Sequence, residues 1–142
     1  MFLASCGFFH TTSAPAVIGQ EVVDGKFAFI VNEVGTSPTF GDTRAGGTYV
    51  VVSMAVRNVG TAAQLFELAA QKLKEHDGRG HSASFMEPVV SNVDPGLQVS
   101  VKLAFDVPPG LRQTQLVLHE SESSHGSPVN LVVPPSPSPS HG

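Results

Sequence analysis

Between Leu97 and Val107 hydrophobic and polar residues alternate without a slip. Leu97, Val99, Val101, Leu103, Phe105 and Val107 share one parity; Gln98, Ser100, Lys102, Ala104 and Asp106 share the other. Successive side chains of a strand point to opposite faces, so the pattern predicts a strand with one dry face and one wet face. Pro95-Gly96 before it and Pro108-Pro109-Gly110 after it are turn sequences that cannot continue a ladder. A dry face of this length needs a second sheet to cover it.

Other segments follow the same logic. Phe27, Phe29 and Val31 share a face after the hairpin dipeptide Asp24-Gly25 and are expected in the core. In Thr48 to Asn58, Val50, Val52, Met54 and Val56 form one face, and Tyr49, Val51 and Ala55 make the other half apolar. A strand apolar on both faces is expected at the centre of its sheet. Leu116 and Leu118, then Val129, Leu131 and Val133, mark two further strands with those residues inward. Gly35 to Gly47 has the composition of a loop and is expected to cross between two sheets, with Phe40 plugging the core edge.

Thr61 to His76 reads two ways. Ala62, Phe66, Ala69 and Leu73 recur at helical spacing among good helix formers. Against this, Asp77-Gly78-Arg79-Gly80 is hairpin-turn chemistry, and Gln71 to Glu75 can alternate as a strand, with a return strand over His81 to Phe85. Counting that hairpin, about seven to eight short strands recur at spacings of about 8–12 residues, which predicts an all-β, immunoglobulin-like antiparallel β-sandwich.

Composition agrees. The 142 residues suffice for one domain with its own core. Gly 14, Pro 11 and only 14% charged residues suit a turn-rich β domain. A net charge of -4 and the absence of any Lys/Arg cluster argue against a nucleic-acid partner. No apolar run approaches the roughly 20 residues that span a bilayer.

The single cysteine, Cys6, cannot form an internal disulfide, and its setting matters more than its count. Leu3-Ala4-Ser5-Cys6 followed by Gly7 looks like a bacterial lipobox, in which the chain is cut before the Cys and lipid is attached to it. Only Met1 and Phe2 precede it, where a signal carries a positive region and about 7–15 apolar residues. A start codon placed too late explains this; the alternative is a free cysteine in an N-terminal arm. Residues 1–6 are therefore expected to be the remnant of a lipoprotein signal, 7–18 a tether, 19–133 the sandwich, and 134–142, a Pro/Ser tail, a segment that need not fold.

Candidate chemistry is sparse. There is no Gly-x-Ser-x-Gly elbow, Gly-rich phosphate loop or Cys pair, and no cofactor is implied. His76 and His81 flank the Asp77–Gly80 turn; in a four-residue hairpin they would face each other, with Asp77 adding a carboxylate, a set that suits Zn or Cu. The competing reading is two solvated histidines beside a surface turn. His119, Glu120, Glu122 and His125 form a second polar group, read as a solvated turn. The acidic residues fall in turns or on wet faces, which does not suit paired-carboxylate catalysis.

Three pieces carry a family likeness: Asp24-Gly25-Lys26-Phe27-Ala28-Phe29; Tyr49-Val50-Val51-Val52 running to Val56-Arg57-Asn58-Val59-Gly60; and Asp94-Pro95-Gly96 followed by Leu103-Ala104-Phe105-Asp106-Val107-Pro108. Together they resemble the bacterial exported domain of unknown function DUF 4352, whose sandwich is shared with secreted immunoprotective antigens of mycobacteria. The resemblance covers about Gly19 to Val133, and its motifs are structural. It implies that Leu65 to Glu67 and Gln71 to His76 are strands, against local propensity. It also implies a lipoprotein, which fits Cys6. The resulting expectation is a non-enzymatic cell-envelope domain, lipid-anchored through Cys6 on the outer side of the cytoplasmic membrane or secreted, meeting a protein or glycan partner; the alternative is a metal-binding module using His76 and His81.

Overall fold

The alternation at Leu97–Val107 becomes the ninth strand of a computed structural model that describes residues 16–135. The strands are β1 (Glu21–Asp24), β2 (Phe27–Phe40), β3 (Thr43–Asn58), β4 (Gln64–Leu65), β5 (Lys72–Glu75), β6 (Gly80–Ser82), β7 (Phe85–Glu87), β8 (Asn92–Val93), β9 (Gln98–Val107), β10 (Gln113–Leu118) and β11 (Ser127–Val132). One sheet has the order β1-β2-β3-β9-β7 and the other β11-β10-β5-β6; β4 and β8 form a separate pair. All strand pairings are antiparallel. This is the immunoglobulin-like sandwich that the pattern predicts. The strand count exceeds the seven to eight expected because β4, β6, β7 and β8 are pairings of only two or three residues.

The core lies between the two inner faces. Phe27, Phe29, Val52, Met54, Leu103 and Phe105 from one sheet meet Leu73, Leu116, Leu118, Val129 and Leu131 from the other. Phe27 and Phe29 are fully buried, as their shared face predicts. β3 lies between β2 and β9, in the central place expected of a strand apolar on both faces. Its outer face is covered locally by Tyr49, whose ring packs against Phe40 and Phe85. β7 lies along β9 with Phe85 opposite Ala104, which explains why Ala104, on the wet parity, is fully buried.

Three expectations need correction. Residues 35–47 do not cross between sheets. β2 and β3 run on past the core as one long hairpin, turning at Gly41-Asp42 and absorbing register shifts between Val31/Glu33 and Ser37/Thr39. The first shift adds one residue to β2, and at the second Pro38 lies against four residues of β3, so small polar residues can pair in a ladder without holding a strict alternation. Phe40 packs on the outer face of its sheet with Phe85, not into the core edge. His81 to Phe85 is not one return strand: the chain leaves β6, changes sheets at Ala83-Ser84, and enters β7.

Thr61 to His76 holds two short strands, Gln64–Leu65 and Lys72–Glu75, and one 3-10 turn, Leu68–Ala70, in place of the helix that propensity favours. The strands overlap only in part the Leu65–Glu67 and Gln71–His76 that the resemblance implies. What a helix there could not do is pair in the ladder with β10, where Leu73 lies opposite Leu116, while Phe66 packs edge-on against the Phe27 ring. Tertiary packing outweighs the few tenths of a kcal/mol per residue that propensity supplies. The fold also starts earlier than Gly19. Ala16 forms a parallel bridge with Val129, and its carbonyl accepts from Asn130 N–H at 2.8 Å. Cys6, most of the expected tether and tail residues 136–142 lie outside the described residues.

Candidate functional site

β5 and β10 are antiparallel with Glu75 opposite Thr114, so the end of one lies beside the start of the other. Between them opens a cleft of 470 Å³ at one end of the sandwich, lined by Glu75, His76, Asp77, Leu111, Arg112 and Gln113, with Gly110 at its rim. A second hollow of 300 Å³ shares Glu75, His76 and Gln113 and continues onto the outer sheet face past Lys74, Gln115 and Asn130. Both signs of charge and several amides line this surface.

Its acidic side chains are braced. Asp77 accepts from the Arg79 backbone N–H at 3.0 Å and from the Arg79 guanidinium at 3.0 and 3.1 Å. The Arg79 backbone bond, then its guanidinium, with a smaller effect from His76, hold the Asp77 carboxyl below the ordinary range. Glu75 Oε2 lies 2.7 Å from His81 Nε2, with side-chain exposures of 10% and 23%. The turn between closes with Glu75 N–H donating to the Arg79 carbonyl at 2.7 Å, and Gly78, at φ +94°, takes the left-handed position.

The structure separates the predicted metal set. His76 and Asp77 line the cleft, but the register pairs Lys74 with Gly80 and Leu73 with His81. The turn closes on Glu75 and Arg79 with three residues between them, so the register is shifted from the one that would set His76 opposite His81, and His81 contacts Glu75 instead. Among the described residues, no three His, Cys, Asp or Glu side chains are grouped as a cation would need.

The second polar group is drawn together by a residue that sequence reasoning treated only as a turn former. Asp24, 7% exposed, accepts from Glu120 N–H at 2.6 Å, from Gly126 N–H at 2.9 Å and from the Ser124 hydroxyl. His119 Nδ1 lies 3.2 Å from the Ser124 carbonyl, while Glu120 and Glu122 contribute backbone amides. Ser, His and Asp are thus neighbours, but the Ser124 hydroxyl donates its hydrogen bond to Asp24 itself, and His119 Nδ1 lies 3.5 Å from it. An activated nucleophile would instead give its proton to a base that the acid orients. Here the carboxylate fastens a loop.

Two further buried amides do the same. Asn58 donates to the Ala62 and Val93 carbonyls at 2.8 Å each and accepts from Gly60 N–H at 2.8 Å. Its bond to the amide two residues on is the local turn bond expected of Asn. A Cβ at Gly60 would meet the flexible Lys26 side chain and approach Asn58 Oδ1 to 3.3 Å. Gln71, fully buried, donates to the Glu67 and His119 carbonyls and accepts from His119 N–H at 2.8 Å. Their partners lie as far as 35 and 48 residues away in sequence, so no local signal could have found these roles.

Among solved structures the chain resembles the yjhA protein of Bacillus subtilis, at 15% identity and a TM-score of 0.62, over 82% of this chain and 98% of that one. It resembles MPT63, a secreted protein of Mycobacterium tuberculosis, at 12% identity and a TM-score of 0.61, over 84% and 98%. It also resembles the lipoprotein candidate ycdA of Bacillus subtilis, at 14% identity and a TM-score of 0.63, over 84% of this chain but 39% of that one. At these identities the likeness is one of fold. No curated protein matches. Residues 16–129, nearly the whole sandwich, match the family model described as Domain of unknown function (DUF4352), and the chain belongs to that family.

Proposed function

We propose that this chain is a non-enzymatic binding or structural module of the cell envelope, held by lipid on Cys6 at the outer side of the cytoplasmic membrane, with a protein or glycan as partner. The observation that carries the reading is where the polar side chains are used. Asp24, Asn58 and Gln71 are spent on fastening loops, chiefly through backbone groups, and the cleft acids Glu75 and Asp77 are already engaged by His81 and Arg79. Such bracing holds a surface in one shape, which lowers the ordering cost of binding. It leaves these groups unsuited to proton transfer or nucleophilic attack.

The address rests on Leu3-Ala4-Ser5-Cys6-Gly7 and is supported by the fold shared with a secreted protein and a lipoprotein candidate. A single acyl chain binds membranes only marginally, and two or more give stable anchoring. Fractionation of cells expressing the chain from its own locus tests the proposal. The native chain is expected in the membrane fraction, and Cys6→Ser is expected to release it. A native chain that stays soluble would overturn the anchored reading.

A further inference from the structure

All 12 acidic residues of the chain lie among the described residues, and none is on the outer face of the β11-β10-β5-β6 sheet. Leu73, Leu116, Leu118, Val129 and Leu131 are buried and fix the inner parity of that sheet. The other parity faces outward, with Lys72 and Lys74 on β5, Gln113 and Gln115 on β10, and Asn130 and Val132 on β11. The register sets Lys74 beside Gln115 and Gln115 beside Asn130, so a cation and two amides lie abreast on neighbouring strands. Gln115 Nε2 donates to Asn130 Oδ1 at 3.2 Å, which leaves Gln115 Oε1 as an acceptor and Asn130 Nδ2 as a donor side by side. The 300 Å³ hollow lies over these three residues and runs to His76 and Gln113. Lys74 and Arg112 have no acidic partner among the described residues. Lys72 keeps its charge on the face, held by the Ala69 carbonyl and the Ser82 hydroxyl at 2.9 and 2.7 Å. The two acids at the margin, Glu75 and Asp77, are bonded to His81 and Arg79.

We propose that this face binds an anionic polysaccharide, a hydroxyl-rich chain bearing carboxylate or phosphate groups. The proposal rests on the reading of the chain as a binding module and names its partner; the lipid anchor plays no part in it. A protein of net charge -4 repels polyanions over most of its surface, and the acid-free face is where one can approach. Lys72, Lys74 and, at the end of the face, Arg112 meet the anionic groups. Gln113, Gln115 and Asn130 offer both donors and acceptors, which is what sugar hydroxyls require. Val132, 70% exposed, gives the C–H face of a sugar ring an apolar surface to rest on. The strand ladder holds these side chains in one array before the partner arrives, which lowers the ordering cost of binding. An acidic protein segment fits this face less well. Protein partners bind chiefly through aromatic or apolar anchors in desolvated pockets, and the hollow here is lined by amides and charges.

The test passes the full chain over sensors carrying polygalacturonate, phosphorylated dextran, plain dextran or poly-glutamate, at low ionic strength and at about 0.15 M salt. Binding to polygalacturonate or phosphorylated dextran is expected, and the tighter of the two tells whether carboxylate or phosphate is recognised. Lys74→Gln and Arg112→Gln are each expected to weaken it about 2- to 5-fold. Gln115→Ala is expected to weaken it about 3-fold even at the higher salt, where charge attraction is screened. Lys102→Gln, on the outer face of the other sheet, is expected to change it less than about 2-fold. Thermal unfolding checks that each variant is folded; Lys74, Arg112 and Lys102 are exposed and Gln115 is half-buried on the outer face. Failure to bind either anionic polysaccharide would overturn the proposal, as would an equal loss in Lys102→Gln. Equally tight binding to plain dextran would overturn the role of the cations. Poly-glutamate bound as tightly as the polysaccharides would overturn the assignment of a glycan in favour of an acidic protein segment. A chain that fractionates with membranes yet binds none of these polymers defeats this inference and leaves the anchored reading standing.

Discussion

Removing the Asp24 carboxylate should unfasten the loop between β10 and β11 and destabilise the whole sandwich. Asp24 receives two backbone amides and one hydroxyl, and the Gly126 amide is buried. A hydrogen bond to a charged group nets about 1.5–3 kcal/mol, and a buried donor left without a partner costs about 1–3 kcal/mol. The three bonds share one acceptor and are not additive. Water entry at the loop recovers part of the loss. Asp24→Ala is therefore expected to cost about 3–5 kcal/mol, a large part of the roughly 5–15 kcal/mol that holds a typical domain together. Asp24→Asn keeps the shape and one acceptor oxygen and should cost about 1–2 kcal/mol at neutral pH.

The pH dependence gives a second, independent reading. Burial pushes the Asp24 carboxyl upward, but the bonds from Ser124, Glu120 and Gly126, with the charge of His119, together hold it below the ordinary 3.8. A folded value below the unfolded one contributes stability that is present above the unfolded value and lost as pH falls through the folded value. The deficit of Asp24→Asn relative to the native chain should thus be full near pH 7 and shrink below about pH 4. Urea unfolding at both pH values measures it. A loss under about 1 kcal/mol in Asp24→Ala, or an Asp24→Asn deficit unchanged in acid, would refute the role assigned to this carboxylate.

Three other substitutions test particular contacts. A Cβ at Gly47 would overlap the Val107 carbonyl oxygen, so Gly47→Ala should force β3 and β9 apart and cost about 2 kcal/mol or more in thermal unfolding. The Thr114 hydroxyl is buried without a partner, so Thr114→Val should be neutral or slightly stabilising, and a loss above about 1 kcal/mol would mean the hydroxyl is bonded after all. His81→Ala leaves Glu75 largely buried without its partner and should cost about 1–3 kcal/mol; additivity with Glu75→Gln in a double-mutant cycle would show that the two do not interact.

The strands with long alternation were legible because their burial is encoded residue by residue. Leu103, Phe105, Val50 and Val52 announce a dry face, and a one-residue slip would expose all of them. Weakly patterned segments were not legible. The hairpin arm around Thr36 and Phe40 reads as loop because Gly, Ser and Thr supply no period, yet bulges let it pair with β3. Leu68–Ala70 reads as part of a helix because a helix and a 3-10 turn bury similar residues, and only β10 lying alongside decides between them.

The cleft was half visible. His76 and Asp77 were in view as turn residues, while Arg112 and Glu75 join them only through the β5–β10 register. His81 was misplaced because the hairpin turns earlier in the chain than assumed, closing on Glu75 and Arg79. Asp24, Asn58 and Gln71 were legible as ordinary polar residues and nothing more, because what makes them structural lies on distant parts of the chain.

The most direct measurement is the intact mass of the mature protein made from its own locus. The account predicts a chain that begins at Cys6 and carries added acyl mass. An unmodified chain that retains Met1 would contradict it, and would leave the cleft as the property of a domain with no lipid anchor at Cys6.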